Sequence, residues 1–216
     1  MRRSAVALGL GLFFTGCAHA PASTARDDAA RELRTQKLIV QWQRSAPDPQ
    51  SVLRQRALPV QPGDDVPGLL QKLREALDAT GGVGIAAPQI GVSRRVFLIK
   101  HGTRPVGQAV TVRAYIDPEV VWRADAVVDD YEACLSVAGV GGRLPRTVSL
   151  RLRYTPEEGG PQQQIELSDW DARIAQHELD HLDGTLYIDR VTGPLVPISE
   201  MRRLRDETHR ARGWVK

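Results

Sequence analysis

The chain has 216 residues, 42% of them hydrophobic and 25% charged, with 29 Lys and Arg against 26 Asp and Glu. That supports one globular domain with its own core and excludes a disordered polyelectrolyte, a collagen-like repeat and a disulfide-stapled mini-protein. The net charge of +3 is scattered, with no Lys/Arg block interleaved with aromatics, so no nucleic-acid partner is expected.

In chain order, Arg2 and Arg3 precede an uncharged apolar stretch from Ser4 to Thr15. It is shorter than the roughly 18 residues that span a bilayer, so residues 1–16 read as a signal peptide. Phe14-Thr15-Gly16-Cys17 resembles the lipobox of bacterial lipoproteins, with Phe14 where Leu is usual. Cys17 is then the lipidation site, and the expected address is the cell envelope, on a lipid anchor facing the periplasm. The alternative is a cytoplasmic protein whose N-terminal extension is an artefact. Residues 17–30 are small and polar, as in a flexible tether. The globular domain is expected over 31–195 and a basic C-terminal helix over 196–216.

Residues 31–45 could form a short helix, ended by Pro47 and Pro49. Val66, Leu69, Leu70, Leu73 and Leu77 follow helical spacing, between the capping Asp64-Asp65 and Gly81-Gly82. Strand-like runs follow at 95–100, 111–116, 119–123, 126–131, 147–153 and 163–167. A helix is predicted over about 169–183, with Ser168 as N-cap and Gly184 just past its end. Helix, many strands, then helix reads as α+β.

That last helix holds Gln176-His177-Glu178-Leu179-Asp180-His181. His177 and His181, four apart, share one face and can grip one metal ion. Glu178 stands beside it, able to take a proton from metal-bound water. Two imidazoles are an incomplete catalytic site, and a third ligand is needed. Downstream, His209 belongs to no motif. Upstream, Cys134 is the one thiol left if Cys17 carries lipid. The glycine-rich Gly81–Gly91 stretch permits close backbone approach, and its Gln89 offers an amide to polarise a carbonyl.

Together these three segments resemble the peptide deformylase family, metallohydrolases that remove the formyl group from N-terminal methionine. The family signatures G-x-G-x-A-A-x-Q, E-G-C-L-S and Q-H-E-x-D-H stand here as Gly82–Gln89, Glu132–Ser136 and Gln176–His181, in the family's order. The resemblance implies an α+β fold with antiparallel strands around a central metal-binding helix. It implies Cys134, His177 and His181 as ligands of one divalent metal, usually Fe(II), with Zn(II) or Ni(II) as alternatives. It makes Glu178 the general acid/base, and Gln89 with the Leu135 backbone N–H the oxyanion hole. Val83, Gly84 and Ala133 would lie along the substrate, a formylated peptide or protein N-terminus, and the protein is expected to be a monomer. Two departures stand out: Ala133 replaces the family's Gly, and Gly141 stands where an Arg or aromatic is common. They keep two alternatives open, a metallopeptidase or amidase on the same scaffold and a metal-binding lipoprotein without turnover.

Overall fold

The computed structural model describes residues 22–214. The elements in chain order are α1 (Ala22–Leu38), α2 (Val66–Thr80), β1 (Gly84–Ala86), β2 (Val96–His101), β3 (Thr111–Arg123), β4 (Val127–Cys134), β5 (Val137–Thr147), β6 (Ser149–Thr155), β7 (Gln163–Ser168), α3 (Asp169–Leu182), β8 (Val196–Pro197) and α4 (Ile198–Ala211). Five antiparallel strands form one sheet in the order β1-β2-β3-β6-β7, and β4, β5 and β8 form a second. The expected α+β class with antiparallel strands around α3 is what the chain adopts.

The larger sheet is covered on both faces because its strands alternate. On β2, Phe97 and Ile99 join the cluster built on Trp170, Ile174, Leu179 and Leu182 of α3. Val96 and Leu98 point the other way, to Leu70, Leu73 and Leu77 of α2. The predicted α2 begins as its caps require: the Asp65 carboxylate accepts from Gly68 N–H at 3.0 Å. It ends at Gly81, whose φ of 66° is the left-handed conformation glycine supplies without strain. A third cluster joins Cys134 to Leu53, Leu144, Leu186 and Tyr187.

Several elements differ from expectation. The two short runs at 111–116 and 119–123 are one strand, β3, with irregular register between Ile116 and Glu119. The Asp117-Pro118 step bends the strand there without ending it. Asp117 donates its N–H to Arg95 O at 2.8 Å, and its carboxylate accepts from Val60 N–H at 3.0 Å.

No strand was expected over 137–147, where Gly141, Gly142 and Pro145 blunt the signal. β5 forms there because β4 pairs with it from Val127↔Thr147 to Cys134↔Val137. The helix expected at 31–45 instead begins at Ala22, within the stretch read as a tether, and ends at Leu38. Beyond it the backbone is committed elsewhere. Val40 N–H donates to Gln89 O and Trp42 N–H to Ser136 O, both at 2.7 Å, while Gln41 Nε2 donates to Leu135 O at 3.0 Å.

Ser168 stands at the start of α3 but makes no capping bond with its side chain, since it is the last residue of β7. The basic C-terminal helix is partly built into the fold: Met201 and His209 are buried, and His209 Nε2 lies 2.9 Å from Asp130 of β4. The proposed signal peptide and Cys17 lie outside the described residues. Among those residues, no helix is long and apolar enough to cross a membrane.

Candidate active site

One stripe of α3 (Trp170, Arg173, Ile174, His177, Glu178) lines a cavity of about 620 Å³ together with Val83, Gly84, Gln89, Ala133, Cys134 and Leu135. His181 lies one turn beyond His177, fully buried, the two rings 5.1 Å apart and nearly perpendicular. Cys134, at the end of β4, brings its Sγ within 3.2 Å of His181 Nε2. One ligand atom from each of Cys134, His177 and His181 lies within 4.8 Å of the others. A thiolate and two imidazoles converging this closely in a buried pocket suit one transition-metal ion.

The His177 ring is oriented from behind. Its Nδ1 donates to Glu132 Oε2 at 2.9 Å, which leaves Nε2 free to face a metal. Glu132 is itself held by a fork from Arg146, both bonds 2.9 Å, and by Arg173 Nη1 at 2.8 Å. Arg146 goes on to Asp180 at 2.6 Å, and Asp180 takes a second fork from Arg190. Burial alone would raise the Glu132 carboxyl, but the Arg146 charge and hydrogen bonds, helped by His177, hold it well below the usual carboxylate range. Burial likewise opposes ionisation of Cys134. The neighbouring His181 and His177 outweigh it and keep the thiol well below its ordinary value.

Glu178 has the opposite surroundings. It is buried with no hydrogen-bond partner for Oε2. Desolvation pushes its carboxyl up to about 7. It fits because position 84 has no side chain: a Cβ on Gly84 would stand 2.4 Å from Glu178 Oε1.

Gln89, buried in a single helical turn after β1, accepts from Ala86 N–H at 2.9 Å. That bond turns its Nε2 toward Ser136 Oγ at 3.3 Å and Cys134 Sγ at 3.6 Å. All the expected metal, catalytic and substrate positions within the described residues therefore gather at this one cavity, with His181 beneath it.

The two departures have local explanations. Ala133 is not among the residues at positive φ, so a Cβ there carries no backbone strain. A Cβ on Gly141 would meet Met201 Cγ at 2.3 Å and Glu132 O at 2.9 Å. α4 therefore occupies the rim space that a larger residue at 141 would fill.

Sequence reasoning missed the groups that hold the ligands. In the sequence Glu132 stands out only as the first residue of the Glu132–Ser136 motif. Arg173 stands four residues before His177 on the same helix face, a spacing that could have pointed to it. Arg146, reaching across from β5, left no local signal.

The sequence model of the polypeptide deformylase family matches residues 42–195. This chain belongs to that family. It is 40% identical over 155 residues to peptide deformylase 2 of Nostoc sp., covering 68% of this chain and 85% of the relative. It is 35% identical over 153 residues to the peptide deformylase of Thermus thermophilus, covering 66% and 79%. Among solved structures, the Thermotoga maritima peptide deformylase superposes with a TM-score of 0.62 at 31% identity, covering 72% of this chain and 99% of that one. An actinonin complex of the Synechococcus elongatus peptide deformylase gives 0.63 at 28%, covering 79% and 87%. The deformylase fold and its metal-dependent hydrolase class thus apply to this chain, and the metallopeptidase and silent-lipoprotein alternatives gain no support.

Proposed function

We propose that this chain hydrolyses the formyl group from N-terminal formyl-methionine of peptides, with Cys134, His177 and His181 holding one divalent metal, Fe(II) first among candidates. The observation that carries the reading is the convergence of those three ligand atoms within 4.8 Å, in the cavity that also holds the unpartnered Glu178 Oε2. Bound there, the metal supplies the Lewis acidity that makes a nucleophile of water at neutral pH.

The chain's own residues do the rest. Glu178 takes a proton from the attacking water on Oε2 and delivers it to the departing amine nitrogen, so formate and a free N-terminus leave. A carboxyl near 7 suits both halves of that relay. Gln89 Nε2 and the Leu135 N–H donate to the formyl oxygen as it becomes anionic. Val83, Gly84 and Ala133 line the cavity that would take the peptide, and a relative from Acinetobacter baumannii solved with Met-Ala-Ser bound supports a peptide substrate.

The test is formate release from formyl-Met-Ala-Ser by residues 18–216 reconstituted anaerobically with Fe(II), Ni(II) or Zn(II), beside Glu178→Ala. Turnover that disappears in the variant is expected. A full metal site without formate release overturns the reading.

On the N-terminal sequence alone we further propose a signal peptide over 1–16 and a lipid on Cys17, tethering the domain to the envelope on its periplasmic side. Palmitate labelling abolished by Cys17→Ser supports that address. Unlabelled protein in the cytosolic fraction refutes it.

A further inference from the structure

α1 ends before the family match begins at residue 42, yet it helps enclose the active site. Ala29, Arg31, Glu32 and Thr35 line the same cavity as Cys134 and Glu178. A Cβ on Gly81 would stand 3.4 Å from Arg31 Cζ, so the Arg31 side chain lies over the C-terminal end of α2, next to Gly82 and Val83. The helix is held there lightly. Its described side chains are all exposed except Thr35, whose hydroxyl donates within the helix, to Arg31 O at 3.0 Å. Firm anchorage begins only past its end, where Ile39 is buried in the α2 cluster and Val40 N–H bonds to Gln89 O. A helix with one buried side chain and a fixed root belongs to the part of a fold that opens at low cost.

The strand order says what this helix obstructs. β1 is the outer strand of its sheet, paired with β2 alone, and Val83 and Gly84 face the cavity at its start. An extended peptide with its formyl group between Gln89 and Glu178 can lie along that edge. It cannot run inward, because Ala86, Ala87 and Gln89 are buried. It runs outward instead, past Val83 and Gly82. Advancing one residue per strand residue from Gly84, it draws level with Gly81 at its fourth residue, and there it meets Arg31 of α1.

We propose that α1 is a specificity-determining lid: formyl peptides of up to three residues fit beneath it, while a longer chain, such as a formylated protein N-terminus, binds only when α1 swings away. Short formyl peptides are then the preferred substrates, an inference that rests on the formyl-peptide reading above.

The test compares kcat/KM of the metal-loaded protein for formyl-Met-Ala-Ser and for the same peptide extended by ten Gly and Ser residues. An open state populated at about 10% or less predicts a preference for the short peptide of about tenfold or more. Arg31→Glu sets a carboxylate against the carbonyl end of α2 and should raise kcat/KM for the long peptide toward that for the short one. Arg31→Lys keeps the charge and should keep the preference. Hydrogen exchange of the α1 amides reads the lid without turnover, using both peptides unformylated. Lifted off the body, a 17-residue helix is marginal in water, so its amides exchange faster. The short peptide should leave that exchange unchanged or slow it, and the long one should accelerate it. Arg31→Glu should accelerate it with no peptide present. Equal kcat/KM for the two lengths, or α1 exchange indifferent to the long peptide, overturns the proposal. So does a length preference that survives in Arg31→Glu while its α1 amides exchange faster. Absence of formate from both substrates sinks the formyl reading alone, because exchange still reports on the lid. Peptides that neither turn over nor bind overturn both.

Discussion

Glu132→Gln is the substitution with the most to say about how the metal ligands are held. The amide keeps the shape of the side chain but removes its charge, and its NH2 faces guanidinium donors. Arg146 still has Asp180. Arg173 loses its one carboxylate and is left with the carbonyls of Leu144 and Val128. All three side chains are about 95% buried, so solvent does little to screen the loss. Breaking a buried pair on one side costs about 3–5 kcal/mol, which for a domain of this size lowers Tm by about 6–20 °C. The same change removes the acceptor of His177 Nδ1–H, so metal affinity should fall by about 10- to 100-fold. Thermal unfolding of the metal-free protein reads the first effect, and chelator competition reads the second. A Tm within about 2 °C of wild type, well inside the predicted loss, would refute the view that Glu132 compensates buried arginines. Unchanged metal affinity would refute its role in orienting His177.

Three further outcomes follow from the geometry. The Glu178 carboxyl is raised in the fold from 4.5 to about 7. Its contribution therefore favours the fold at low pH and is lost as pH rises through that window. Metal-free Glu178→Gln should match wild type near pH 4 and exceed it by about 3 kcal/mol at pH 8 in urea unfolding; an equal gain at both pH values refutes the assignment. Gly84→Ala puts a Cβ 2.4 Å from Glu178 Oε1, so the carboxylate must retreat by about 1 Å. Activity should fall about 100-fold, and undiminished kcat/KM would show that the contact does not position the carboxylate. Gly141→Ala should cost about 1–3 kcal/mol by collision with Met201, with Met201→Ala recovering part of it; strict additivity in the double variant would refute direct contact.

The elements that carry their own periodicity were legible in the sequence. α2 announces itself by leucines at helical spacing between a capping aspartate and a left-handed glycine. α3 does so by the histidine pair on one face. β5 was hidden because two glycines and a proline erase its alternation, yet those glycines are what let Met201 and Val191 pack against it. The ligand set was readable through short motifs. The charges behind it were not, because Glu132, Arg146 and Arg173 meet through contacts spanning 14 and 41 residues of sequence. His209, without a motif, is a buried partner of Asp130, a role decided only when α4 docks on β4.

The three residues after α1 bear on how small a working enzyme can be. The family match begins at residue 42, but Val40 and Gln41 precede it and bond to the carbonyls of Gln89 and Leu135, the two residues assigned to the oxyanion hole. A protein trimmed to the family boundary keeps every ligand and the general base. It loses two bonds that tie down the backbones of the proposed oxyanion donors, so formate release by a chain starting at residue 42 is expected to fall below that of one starting at residue 39.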